Sequence, residues 1–133
     1  MVLLFALAAL GLSYLVNKWM LRFFKEYAVI FGAPVFEELF KTLPAYYWNR
    51  PVLVVHFLFG IGEALYDFST RSKESGKWAA VFSIISHSAF GMVTDLTLKH
   101  TGRIIPAMLA TMAIHCIWNW VIMRVGKKDR ESC

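Results

Sequence analysis

Long apolar stretches leave this chain few ways to fold. Between the charged strings NKWMLRFFKE, NRP, TRSKESGK, KHTGR and GKKDRESC, the sequence runs apolar for about twenty residues at a time, the length that crosses a bilayer core as a helix. In lipid every backbone N–H and C=O must be satisfied internally, which leaves helices or closed barrels. Barrel strands would show short alternating segments, and these stretches do not alternate. The expected fold is therefore all-α: a polytopic transmembrane helix bundle of about five helices around a buried polar site.

The spacing predicts spans over 2–16, 27–48, 51–68, 78–98 and 104–123. The first is short and lacks the positive region that a signal peptide would carry before its apolar run, so it is expected to be a helix whose natural start is clipped. Pro34, Pro44 and Pro106 fall within or at the ends of spans, where neighbouring helices can repair the lost hydrogen bond. Tyr46, Tyr47, Trp48 and Trp78 fall near span ends, where aromatic belts sit. One domain over 1–133 is expected, with a motif-bearing core at 27–123 and a basic tail at 124–133.

Lys18, Arg22, Lys25, Arg71, Lys73, Lys77, Arg124, Lys127, Lys128 and Arg130 gather on one side of such a bundle, against Arg50, Lys99 and Arg103 on the other. The basic side is expected to be cytoplasmic, with the N-terminus outside and the C-terminus inside. Loop cations of this kind account for the net charge of +5, so no nucleic-acid partner is called for. The two cysteines, Cys116 in a span and Cys133 at the end, form no disulfide framework and no CxxC pair.

Ionisable and amide side chains interrupt the apolar spans: Glu37, Glu38 and Lys41, then His56, Glu63 and Asp67, then His87 and Asp95, then His115 and Asn119. Each costs roughly 2.5–3.5 kcal/mol on insertion scales, so such residues read as functional. Counted as helix from the basic side, Glu37, Glu63, His87 and His115 lie at a common depth of roughly 9–15 Å. Glu37 and Lys41 share a helix face at i,i+4, as do His115 and Asn119, with Thr111 extending that stripe. Ser83, His87 and Gly91 make another. Gly60 and Gly62 flank Glu63, and small residues let membrane helices pack closely. Glu38 points about 100° away from Glu37 and is expected to pair with a neighbouring helix or orient the site. His56 reads as nearer the opposite membrane face and His100 as a loop residue, both outside the site.

Carboxylates with two histidines and an amide suit hydrolysis. A carboxylate withdrawn from bulk water can act as general base toward a water molecule, and imidazole or amide N–H groups can donate to an oxyanion. No serine nucleophile motif and no HExxH is present. Cys116 points to a different face from His115, which argues against a cysteine nucleophile. Glu37, His87 and His115 could equally make a zinc site with an open position. The residues leave that choice open, and they leave room for a membrane transporter or a non-catalytic membrane protein.

The same residues carry a family resemblance. EELFK (37–41) resembles the EExxK/R motif of the CPBP superfamily of intramembrane proteases, which includes CAAX-type, bacteriocin-processing and PrsW-like members. FGIGEALYDF (59–68) resembles the PrsW-type glycine-rich segment with its further glutamate. SHSAFG (86–91) resembles the first histidine motif, and AIHCIWNW (113–120) the closing HxxxN motif. The four occur in order, each on its own expected span. Ser83 stands where CAAX-type members usually carry phenylalanine, which favours a PrsW-like relative. The resemblance implies a glutamic-type intramembrane endopeptidase without a resident cofactor, zinc being the alternative. Glu37 with His87 would activate water, His115 and Asn119 would stabilise the oxyanion, and Glu38, Lys41 and Glu63 would complete or support the site. It implies a membrane-associated protein or peptide as substrate and a prokaryotic cell membrane as location. A non-catalytic immunity or scaffold protein of the same fold is the other reading.

Overall fold

The computed structural model describes residues 1–131, with side chains up to Gly126; Lys127, Lys128 and Arg130 of the basic tail fall outside the described side chains, and Cys133 outside the described residues. Five α-helices and one π-helical turn make up the described chain, and it contains no strand: α1 (Val2–Phe24), the π turn (Ala28–Gly32), α2 (Ala33–Tyr47), α3 (Val52–Thr70), α4 (Lys73–Thr101) and α5 (Ile104–Glu131). Four of them, α1, α3, α4 and α5, are long and apolar enough to cross a membrane.

The helices outrun the predicted spans at every charged string but NRP, where α2 and α3 leave a short connection. α1 continues through Asn17, Lys18 and Arg22 to Phe24, instead of stopping at 16. That string holds good helix formers and neither glycine nor proline, so nothing breaks the helix, and long basic side chains can extend from it toward the interface. It ends at Lys25, in the left-handed region with φ 49°. α4 starts at Lys73 rather than 78, after Ser72 in extended conformation, and stops at Gly102, whose φ of 65° sends its N–H back to Leu98 O at 2.8 Å.

The predicted span 27–48 differs most. It is a five-residue π turn followed by a fifteen-residue α-helix, and it is the bundle's interior helix. α2 packs on α1, α3 and α5, and Pro34, Glu37, Glu38, Lys41, Thr42 and Ala45 on it are all buried. Pro34 accounts for the turn. It has no N–H to give to the carbonyl four residues back, and its ring crowds that carbonyl. The ladder widens instead, so that Ala33 N–H reaches Ala28 O.

Close packing positions the rest. On α1 the buried stripe is Ala6, Ala9 and Ser13, and Ala6 joins Ala45, Val52 and Val55 in an apolar cluster. Gly62 of α3 takes Leu10 of α1, and Gly32 takes Met20. α3 and α4 form an antiparallel hairpin in which two histidines face glycines: His87 lies over Gly60 and His56 over Gly91, while His100, expected in a loop, lies exposed in the last turn of α4. The predicted Ser83–His87–Gly91 stripe therefore faces α3. Thr94 and Thr111 join α4 to α5 through their hydroxyls at 2.7 Å.

Candidate functional site

The polar residues of α2 to α5 meet in one connected network. Glu38 is its hub and is fully buried. Its Oε1 accepts from Lys41 Nζ at 2.8 Å and faces His115 Nδ1 at 3.1 Å. Its Oε2 faces His56 Nε2 at 2.8 Å. Val52 O, an acceptor only, lies 3.0 Å from His56 Nδ1, so that nitrogen carries the hydrogen. The ring of His56 is thus held at both ends.

Lys41 is fully buried as well. Beyond Glu38 it donates to His87 Nδ1 at 3.1 Å and stands 4.4 Å from the centre of the Phe59 ring, a cation–π arrangement. An ammonium has no acceptor lone pair, so Nδ1 of His87 must accept, and its Nε2–H donates to Glu63 Oε2 at 2.6 Å. The tautomer of His87 is thereby fixed by its two neighbours, Lys41 and Glu63. The same reasoning applies to His115. With Nδ1–H directed at Glu38, its Nε2 turns to Glu37 Oε2, 3.7 Å away, beyond direct hydrogen-bond length. The His87 and His115 rings stand edge to face at 5.3 Å, and Phe90 stacks on His115 at 4.4 Å.

Glu37 and Lys41 share a helix face at i,i+4, yet the two do not pair. Both i,i+3 and i,i+4 place side chains together on a helix, and Lys41 takes the i,i+3 partner, Glu38. Glu37 instead accepts from Asn17 Nδ2 of α1 at 3.1 Å. The two glutamates separate as expected in another respect. Glu37, with Glu63, His87, His115 and Asn119, lines a cavity of about 510 Å³, whereas Glu38 and Lys41 stand behind its wall. The cavity runs to the ends of α1, α3, α4 and α5 at Leu21, Arg71, Ala79 and Met123, which is the end carrying most of the basic residues. Asp67, near that end, pairs with Arg71 at 2.7 Å. Trp118 lines the cavity and packs edge to face on Phe82 at 6.1 Å, while Cys116, a free thiol, is not among its lining residues.

Asn119 has a second task. The carbonyl of Val29 would normally accept from Ala33 N–H, but that N–H is taken by Ala28 O, and the next candidate, Pro34, has none. Asn119 Nδ2 fills the gap, donating to Val29 O at 2.9 Å. One of its two amide hydrogens is therefore committed to the π turn, and one remains.

Two residues of this cluster escape the sequence reading. His56 reads as lying outside the site, yet 56, 60, 63 and 67 form an i, i+4, i+7, i+11 stripe, so His56 shares the helix face of Glu63 and joins the network through Glu38. Asn17 lay in what reads as a charged loop; once α1 is extended, Ala6, Ala9, Ser13 and Asn17 make one stripe.

Glu37, His87 and His115 each offer one ligand atom within 4.8 Å of the others. Tetrahedral zinc, with bonds of about 2.0–2.1 Å, wants such atoms about 3.4 Å apart. The residue types fit such an ion, and these three would hold it.

Compared with protein-family models, curated proteins and solved structures, the chain matches none of them.

Proposed function

We propose that the chain is an intramembrane peptidase, related to the PrsW-like branch of the CPBP superfamily that its motifs resemble, and that Glu37 is the base that activates water. The observation that carries this reading is the placing of Glu37: on the wall of a cavity, with one oxygen held by an amide and the other facing the imidazole of His115. Glu37 takes one proton from water as the oxygen attacks the peptide carbonyl, then passes it to the leaving amine. The second amide hydrogen of Asn119 faces the developing oxyanion, and the ring of His115 stands beside it, as a donor in the state where Nε2 carries a hydrogen. Glu63, His87 and Lys41 hold the wall.

Comparing the N-termini of membrane proteins in cells making the wild type, the Glu37→Gln form or neither tests this. New N-termini are expected with the wild type alone. The same set of termini from Glu37→Gln would overturn the reading. A second reading, zinc-assisted hydrolysis, is favoured by the grouping of one carboxylate and two histidines, Glu37, His87 and His115; these three would hold the ion, which would supply Lewis-acid activation of the water. Elemental analysis of purified protein against a His87→Ala/His115→Ala control separates the two.

The basic end is proposed to be cytoplasmic, in a prokaryotic cell membrane. Cys133 is then expected to react with a membrane-impermeant maleimide in inverted vesicles and not in intact cells. Labelling in intact cells would reverse the orientation and place the cavity mouth on the outer side.

A further inference from the structure

Asn17 belongs to none of the motifs and stands on α1, the helix that carries no other residue of the network. We propose that Asn17 is a positioning residue for Glu37, its side-chain amide fixing the orientation of the carboxylate so that one oxygen is held and the other faces the cavity. The inference rests on the reading of Glu37 as the base.

Asn17 Nδ2 donates to Glu37 Oε1 at 3.1 Å, and among the described residues it is the one donor within hydrogen-bond length of that carboxylate. The cations and imidazoles nearby are committed elsewhere. Lys41 serves Glu38 and His87, His87 serves Glu63, and His115 stands 3.7 Å off. The terminal torsion of a glutamate is broad and its two oxygens are equivalent. Without Asn17 no hydrogen bond from the described residues would fix that torsion. With it, Oε1 is tied to α1 and Oε2 is left toward His115 and the cavity. A base that must meet water in one geometry gains rate from being held there.

The other atom of the amide argues against a simple tie between helices. Asn17 Oδ1 is buried and has no hydrogen-bond partner, which costs stability. α1 already packs on its neighbours through Ala6, Ala9 and Ser13 and through Met20 against Gly32. A residue serving that packing alone would need no hydrogen bond to Glu37. The orientation of the amide is also fixed by Glu37: turned over, it would set oxygen against oxygen.

The test uses the full chain in detergent or nanodiscs and two readouts. The first is the infrared carboxylate band assigned to Glu37 by its loss in Glu37→Gln. The second is the rate of cleavage of the membrane protein whose new N-terminus is most dependent on Glu37. Asn17→Leu, which keeps the volume, is expected to shift the band and to lower kcat about tenfold with KM unchanged, the size of effect that one hydrogen bond to a charged group carries. Asn17→Gln, which keeps the donor on a longer arm, is expected to recover part of both. An unshifted Glu37 band in Asn17→Leu, or a change confined to KM, overturns the proposal. Should Asn17→Leu fail to insert, Asn17→Ala takes its place in both measurements. If Glu37→Gln itself cleaves normally while Asn17→Leu shifts the band, the peptidase reading falls and the positioning of Glu37 by Asn17 stands.

Discussion

Glu38→Ala is expected to cost the chain its fold, whereas Glu37→Gln, one residue earlier, folds and loses its chemistry. Glu38 holds Lys41 at 2.8 Å, His56 at 2.8 Å and His115 at 3.1 Å, and Glu38 and Lys41 are both fully buried. Removing the carboxylate leaves an ammonium in the interior with His87 Nδ1 and the Phe59 ring as its remaining partners. Breaking one side of a buried pair costs about 3–5 kcal/mol, while replacing both partners by apolar groups is often neutral. Thermal unfolding in detergent, followed by tryptophan fluorescence, should therefore show a large loss for Glu38→Ala and a recovery in Glu38→Met/Lys41→Met. A single variant as stable as the wild type would mean that Lys41 draws its compensation from elsewhere. Glu37→Gln keeps volume and keeps an oxygen for Asn17 Nδ2 to reach. Its unfolding should match the wild type, and cleavage should fall by about 10²–10⁴, the usual contribution of a general base.

That contrast turns on something the sequence states only in part. Lipid forces helices, so the all-α bundle is legible from the apolar stretches, and the common depth of Glu37, Glu63, His87 and His115 is legible from their positions on those helices. Helix ends are not, because the charge that marks an interface does not break a helix; α1 runs on past Asn17 and so hides it. The partner of Lys41 is not legible either. Spacing allows both glutamates, and the choice falls to groups on other helices: His56 and His115 draw Glu38 inward, and Asn17 draws Glu37 to the side. The π turn follows from Pro34, but that Asn119 repairs it depends on α5 arriving beside Val29, a tertiary fact.

Gly91→Ala and Gly60→Ala are expected to pull the site apart from a distance. A Cβ on Gly91 would lie 2.7 Å from His56 Cβ, and one on Gly60 3.0 Å from both His87 Cβ and Ser83 O. These neighbours are not the ends of flexible side chains. A Cβ moves only with its backbone, and His56 is further fixed by Val52 O and Glu38. The helices must therefore separate, at a cost of about 1–3 kcal/mol for the overpacking alone. Separation also lengthens the bonds that cross from α3, His87 to Glu63 at 2.6 Å and His56 to Glu38 at 2.8 Å, so each substitution should lower both Tm and Glu37-dependent cleavage. Gly11 on α1 is the control. A Cβ there meets nothing within 4 Å, and alanine should hold or raise Tm, since glycine inside a helix is worth about 1 kcal/mol less. Equal melting of all three variants and the wild type would show that α3 and α4 do not lie this close. Equal cleavage would show that the close approach is not what aligns His87 and His115. The glycines thus act on the network without belonging to it: the distance between two backbones sets whether three histidines, a lysine and three glutamates meet.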